Sequence, residues 1–308
     1  MAKSLGLVIF FGKKEVFLAK NVYNERRRKG GFGMTYLAAV IQLDTGKNVD
    51  DNWEQAEHLI RQAAAKGAKL VVLPEHAVYE GRCSNEQARQ TYAIAFKRFS
   101  ALARELRIYL HCGTLFEVGP EGKPYNTSLL FDTKGRLLTS YQKVHLFDVA
   151  VEAGPQIQES KTVSAGRRFV VAQTEEVGNL GLSICYDLRF PEQFRLLALE
   201  GAQVFVVPAN FTYPTGRAHW EVLLRARAVE NGAYVLAAAQ CGKKSGYLSY
   251  GHSMIIDPWG QVLAEAEESP KVLLAPILLE EGKRVRSQLG LFHNRRTDLY
   301  RLIGLDFV

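Results

Sequence analysis

The 308-residue chain is predicted to fold as one α/β domain of two packed β-sheets flanked by helices. Three observations predict it. Short runs rich in Val, Ile and Leu alternate with segments of helical periodicity from Tyr36 onward. A hydrophobic fraction of 47% with 10% aromatics supplies a sizeable core. No internal repeat, low-complexity stretch or interdomain linker divides the chain.

The elements follow in order. YLAAVIQ reads as a buried strand, and Asp50-Asp51 as a capping signal for the helix NWEQAEHLIRQAAAKG, which stops at Gly67. KLVVLPE is a second buried strand closed by Pro74. Residues 85 to 107 form a longer helix, with Tyr92, Phe96, Phe99, Leu102 and Leu106 along one face. YLHCGTLFEV, PYNTSLLFD, RLLTSYQK, RFVVAQT and NLGLSIC are strand-forming runs separated by turns such as GPEGKP and DTKG. Helical patterns return at PEQFRLLALEG and RAHWEVLLRARAVENG, each followed by a strand or preceding one (VFVVP, YVLAAAQ). SMIIDPWGQVLAEA reads as a hairpin and KVLLAPI as a last strand, before a helix and a polar tail.

The net charge of +7 is segregated. Residues 1–33 hold eight Lys or Arg against Glu15 and Glu25, whereas the rest of the chain holds 31 basic and 30 acidic residues. A near-neutral body implies no polyanion-binding face, so no nucleic-acid partner is expected. LGLVIFF resembles a weak secretory core, but no small-residue cleavage site follows and Lys13-Lys14 interrupts it. Residues 1–33 are therefore read as a basic extension outside the fold, with the domain spanning 34–308 and Met34 as the favoured start. A targeting or interaction arm is the other reading. No run reaches the roughly 18 to 20 apolar residues of a membrane span, so no membrane partner is expected. Cysteines 83, 112, 185 and 241 form no CxxC pair. That argues against a zinc site or disulfide framework and suits a reducing, cytoplasmic setting; no metal or cofactor is expected.

Three polar residues each end an apolar strand: Glu75, Lys143 and Cys185. Singly, a solvated glutamate, a turn lysine and a core cysteine are ordinary. Together they form a chemistry, because strand ends in α/β sheets gather around one crevice. A glutamate in a closed pocket, its pKa raised by desolvation, takes the thiol proton. A lysine offsets the charge of the tetrahedral oxyanion, and the backbone N–H of Tyr186 is a second donor. Pro191 suits the first turn of a helix whose positive end would favour the thiolate if aimed at Cys185. A Cys-His dyad is the rival, but none of the seven histidines has a papain-like surround.

On LVVLPEHAVYEG, YQKVHLFD and SICYDLRFPE, in that order, the chain resembles the carbon–nitrogen hydrolase (nitrilase) superfamily from Tyr36 to about Leu302. The resemblance implies a four-layer αββα sandwich of two mixed sheets and a homodimer or higher homo-oligomer. It makes Glu75 the general base, Lys143 the oxyanion donor and Cys185 the nucleophile. Glu159, in QESKTVSAG, becomes the residue that holds Lys143. Tyr186-Asp187 after the cysteine points to amidases rather than nitrilases, which carry Trp-Glu. Leu188 stands where carbamoyl-amino-acid hydrolases have the first of two arginines, and only Arg189 matches.

GRAHWEVLLRARAVENGAYVLAAAQCG with YGHSMIIDPWG resembles the deaminated-glutathione amidase branch; the omega-amidase branch shares part of this pattern. The implied substrate is a small anionic amide, so cationic or hydrogen-bonding groups are needed around it. Arg189 is the first choice for the substrate carboxylate, with an ion pair to Glu192 as its structural alternative. Asn210, His219 and Trp220 are further lining candidates, Trp220 being equally suited to the core; His252 and Cys241 rank below them. An inactive scaffold is the reading from another class, but such a chain would be expected to lack one of the three acting groups. A chain beginning at Met34 is expected to keep the thermal midpoint and kcat/KM of the full-length protein, as thermal melts and initial rates would show. A midpoint lower by many degrees would make the extension an integral part of the fold.

Overall fold

In a computed structural model of the protein, residues 34–81, 84–120, 122–150 and 156–304 are described. The expectations that fall on residues 1–33 and Cys83 lie outside them. The first sheet contains β1 (Thr35–Gln42), β2 (Leu70–Val72), β3 (Tyr109–His111), β4 (Leu115–Val118), β5 (Pro124–Phe131), β6 (Leu137–Gln142) and β17 (Lys271–Leu278). The second contains β9 (Val171–Ala172), β10 (Leu180–Leu182), β11 (Val204–Ala209), β12 (Tyr234–Ala239), β15 (Met254–Ile256) and β16 (Val262–Glu265). Helices α1 (Val49–Ala65) and α2 (Asn85–Leu106) belong with the first sheet, and α3 (Pro191–Leu199) and α4 (Tyr213–Asn231) with the second; α5 (Leu279–Gln288) follows β17.

Each sheet has a parallel centre with antiparallel strands outside it. β1, β2 and β3 run parallel, with β17 antiparallel to β1 and β5 antiparallel to β3. β10, β11 and β12 repeat the arrangement, with β9 and β15 antiparallel beside them. The parallel connections run through helices, as parallel pairing requires. The period of two along β1 divides the core. Tyr36, Ala38 and Val40 pack with Leu182, Val206 and Leu236 of the other sheet. Ala39 and Ile41 point the other way, into a second cluster with Trp53 and Ile60 of α1 and Phe99 and Leu102 of α2. Phe194 of α3 and Trp220 and Leu224 of α4 cover the far side of the second sheet. The order is helix, sheet, sheet, helix, which bears out the expected αββα sandwich.

Three local readings are corrected. The cap of α1 is Asn48, whose Oδ1 accepts the N–H groups of Asp50 (3.0 Å) and Asp51 (3.5 Å). The two aspartates lie in the first turn, where their charge suits the helix dipole. YLHCGTLFEV is two strands, β3 and β4, parted at Gly113. Two short hairpins have no apolar run to betray them: β7 (Asp148–Ala150) with β8 (Gln156–Gln158), and β13 (Cys241–Lys243) with β14 (Leu248–Tyr250).

The ends of β1 and β12 meet where the sheets join. Leu43 and Gln240 form a parallel bridge, and the Cys241 N–H donates to the Leu43 carbonyl at 2.8 Å. At the same end the chain leaving β3 presses on the chain leaving β2. Gly113 has φ +62°, and a Cβ there would lie 1.8 Å from the Pro74 carbonyl oxygen. Gly113→Ala is therefore expected to lower the thermal midpoint by roughly 5–10 °C and to depress kcat, since Pro74 precedes Glu75. Gly67→Ala, with φ +91° but open space around the new Cβ, is the control and should cost far less in both measurements.

Candidate active site

Glu75, Lys143 and Cys185 come from three separate chain passages and converge below the surface, at 3%, 2% and 8% exposure. Glu75 lies three residues past β2, where the chain turns with His76 at φ +57°. Its backbone is held from the other sheet, because Gln240 Nε2 donates to the Glu75 carbonyl at 2.8 Å. Its carboxylate oxygen Oε1 accepts Asn126 Nδ2 at 2.8 Å and Lys143 Nζ at 3.1 Å. Lys143 follows β6 directly and donates also to Glu159, at 2.9 Å to Oε2 and 3.2 Å to Oε1. Glu159 is held in turn by the Phe147 N–H at 2.7 Å.

Cys185 opens a tight turn, Cys185–Arg189, three residues past β10. Its φ of +49° is a conformation that a residue with a side chain adopts only under constraint. The constraint is Asp187, fully buried two residues on. Its Oδ2 accepts the Ile184 N–H (2.8 Å) and the Tyr141 hydroxyl (2.7 Å); its Oδ1 accepts the His145 N–H (3.0 Å) and His145 Nδ1 (2.8 Å). Tyr141 and His145 flank Lys143, so one carboxylate ties the cysteine turn to the lysine segment. The thiol lies in the same buried cluster, within the field of the Glu75 carboxylate and the Lys143 ammonium.

The electrostatics fix the resting charges. Burial pushes Glu75 up, but the cations Lys143 and His76 together outweigh it and hold the carboxyl below its usual range. Burial works against the Lys143 charge, and Glu75 and Glu159 restore it, so the ammonium is held well above its ordinary pKa. Burial and the neighbouring Glu75 charge push the Cys185 thiol well up. A carboxylate faces a neutral thiol beside a fixed ammonium. This corrects one expectation: Glu75 is lowered rather than raised. Desolvation alone predicts the direction wrongly, because two cations share the burial.

The site opens into a cavity of about 830 Å³, walled by the β7–β8 hairpin on one side and by Phe116, Asn210, Thr212 and Tyr247 elsewhere. Among the described residues, no group of three or more His, Cys, Asp and Glu side chains is placed to hold a metal ion. An enclosed thiol, a carboxylate acceptor for its proton and a fixed ammonium suit nucleophilic attack on a carbonyl.

Comparison with known proteins agrees with that chemistry. Residues 37–287 match the family described as carbon-nitrogen hydrolase. The chain belongs to this family. The hydrolase is 45% identical over 267 residues to the deaminated glutathione amidase of Synechocystis, covering 84% of this chain and 98% of that one. It is 39% identical to human omega-amidase NIT2, covering 86% and 97%. The crystal structure of the Caenorhabditis elegans NitFhit protein superposes with a TM-score of 0.82 at 39% identity, over 88% of this chain and 67% of that one.

The hydrolase brings Glu75, Lys143, Glu159 and Cys185 together, with Tyr186 adjacent in the chain, and it places Asn210 in the cavity wall. Arg189 stands outside that lining, its guanidinium over the rings of Tyr186 (5.8 Å) and Phe211 (5.5 Å) and 3.3 Å from His219 Nδ1, rather than paired with Glu192. His219 is exposed on α4 and does not line the cavity. Trp220 is corrected: it is wholly buried in the core, packed on Phe211 with Nε1 donating to the His252 carbonyl at 2.7 Å. A polar–aromatic pair on a helix does not tell which of its two faces looks inward. His252 pairs with Glu265 (3.0 Å), and Cys241 is buried, its thiol pushed up to about 12.

The reading of the sequence missed Asn126, the hub role of Asp187, and Gln240. It also missed a second buried network beside Glu75. Glu80 accepts the Tyr247 hydroxyl (2.8 Å) and Asn210 Nδ2 (3.3 Å) and pairs with His76 Nδ1 (2.5 Å). Burial would lower His76, but Glu80 raises it to about 9; burial would raise Glu80, but His76 first and Tyr247 after it lower it to about 2. The raised histidine contributes stability that is complete below its unfolded value near 6.5 and is lost as pH rises through about 9. The lowered glutamate contributes above about 4.5 and loses its share as pH falls toward 2. The difference in thermal midpoint between wild type and Glu80→Gln should accordingly be greatest between about pH 4.5 and 6.5 and shrink on either side. A difference independent of pH would show that this pair is not charged in the fold.

Proposed function

We propose that this carbon–nitrogen hydrolase cleaves the 2-oxoglutaramyl amide of deaminated glutathione, releasing 2-oxoglutarate and cysteinylglycine. The observation that carries the reading is the buried Glu75–Lys143–Glu159 cluster facing Cys185 at the floor of a large cavity. The choice of amide rests on the relative of that name, which aligns over nearly its whole length.

Glu75 takes the thiol proton as the sulfur attacks the amide carbon. The carbonyl oxygen becomes an oxyanion, met by Lys143 Nζ and the Tyr186 backbone N–H. Because the ammonium is already fixed between two carboxylates, little reorganisation accompanies the new charge. On collapse, protonated Glu75 gives its proton to the departing nitrogen, cysteinylglycine leaves, and Cys185 carries a thioester. Water then loses a proton to Glu75 and attacks the thioester carbon. The second collapse frees 2-oxoglutarate, and the proton returns from Glu75 to the sulfur. Glu159 acts by holding Lys143, Asn210 shapes the wall, and Arg189, beside Tyr186 and Phe211, takes the 2-oxo acid carboxylate after a side-chain rotation. A homodimer and a cytoplasmic setting belong to the same proposal.

The second reading is an omega-amidase acting on 2-oxoglutaramate, favoured by the 39% identity to a protein of that name. Both substrates share one acyl group, so initial rates on deaminated glutathione, 2-oxoglutaramate, a simple nitrile and an N-carbamoyl amino acid decide the matter. The highest kcat/KM is expected on deaminated glutathione. Cys185→Ser, Glu75→Gln and Lys143→Met should keep the fold and lower kcat by about a hundredfold or more. Mass spectrometry with a slow substrate should find the acyl adduct on Cys185; an adduct on Cys83, Cys112 or Cys241 would refute the assignment.

A further inference from the structure

The proposed substrate is a dianion, with one carboxylate on the 2-oxo acid and another on the glycine of the leaving dipeptide. A carboxylate drawn from water needs a compensating partner, so each end calls for a cation. Lys143, His76 and Lys161 are the cationic side chains in the cavity wall among the described residues. Lys143 is held by Glu75 and Glu159, and His76 by Glu80. Lys161 makes no direct ion pair among the described residues; the exposed Asp148 feels its charge without contact, and the carboxylates around it already accept other donors. Glu159 takes Lys143 and the Phe147 N–H; Asp148 takes the Ser160 N–H at 3.0 Å.

We propose that Lys161 is the subsite for the glycine carboxylate on the leaving-group side, a specificity residue that selects a peptide amide over a primary amide. This rests on the proposed substrate. The chemistry decides which end it meets. The acyl half stays bonded to Cys185 after the first step and must remain enclosed beside Lys143 and Glu75. The leaving half must diffuse away while the acyl half is retained, so it lies on the open side. Lys161 is the exposed cation of the wall, in the turn Glu159–Lys161 whose first residue is anchored to the reacting centre. 2-Oxoglutaramate releases ammonia and presents nothing to this subsite.

The test is steady-state kinetics of wild type, Lys161→Met and Lys161→Arg. The substrates are deaminated glutathione, its analogue ending in glycinamide, and 2-oxoglutaramate. Lys161→Met should raise KM for deaminated glutathione about fivefold, the scale of a solvent-exposed ion pair, with kcat little changed. The same variant should be indistinguishable from wild type on 2-oxoglutaramate, and Lys161→Arg should restore most of the loss. Wild type should disfavour the glycinamide analogue by a similar factor, and Lys161→Met should not. Equal losses on all three substrates, or a wild type indifferent to the terminal carboxylate, would overturn the subsite. A wild type that turns over 2-oxoglutaramate but not deaminated glutathione would overturn the proposed function itself, and the subsite with it.

Discussion

An ammonium group at 2% exposure cannot stand alone, and the arrangement around Lys143 follows from that constraint. Leaving water costs a charge several kcal/mol, which only close and well-oriented counter-charges offset. Glu75 and Glu159 supply two, each tied down by a further donor: Asn126 for Glu75, the Phe147 N–H for Glu159. The clamp leaves a net negative charge beside the thiol, which is why Cys185 rests protonated. Removing any one carboxylate would alter the charge of the whole cluster. Buried ion pairs are weak contributors to stability, and this one is better understood as a device for holding charge in place before a reaction needs it.

The backbone around the clamp is under tension that specific contacts absorb. His76 and Cys185 both adopt left-handed conformations immediately beside or at the reacting groups. His76 is held there by its N–H to Thr114 Oγ1 at 2.9 Å and by Glu80; Cys185 by the four hydrogen bonds of Asp187. Outliers of this kind persist only where the surroundings over-determine them. Asp187 does more than stabilise its own turn, since Tyr141 and His145 give it a hold on the chain either side of Lys143.

Much of the fold was legible because period-two and period-3.6 patterns are local. YLAAVIQ, LVVLPE, VFVVP and YVLAAAQ are buried in parallel centres, and their unbroken apolar character announces it. The hairpins Asp148–Gln158 and Cys241–Tyr250 were invisible, because three-residue polar strands carry no pattern. The convergence of Glu75, Lys143 and Cys185 was legible through three motifs in order. Their protonation states were not, because a pKa belongs to the neighbours: His76, next in sequence to Glu75, is charged only because Glu80 closes on it. Trp220 shows the same limit from the other side. An HWE triplet marks a helix but not which face of it turns toward the core.

The residues that converge on the cavity do not belong to one sheet. Glu75 and Lys143 leave strands of the first, Cys185 leaves a strand of the second, and Gln240 reaches across to hold Glu75 by its backbone. Each half of the sandwich could form its strands and helices and still bring no thiol to a carboxylate: one half would hold the lysine and glutamate without the cysteine, the other an ordinary thiol. Competence arises in the docking of the two halves, at the same moment as the central core closes. The assembled cluster thus requires both sheets in place. A partly folded molecule, however rich in secondary structure, carries none of the reactivity that a loose thiol with a working base would turn on the cell's other amides.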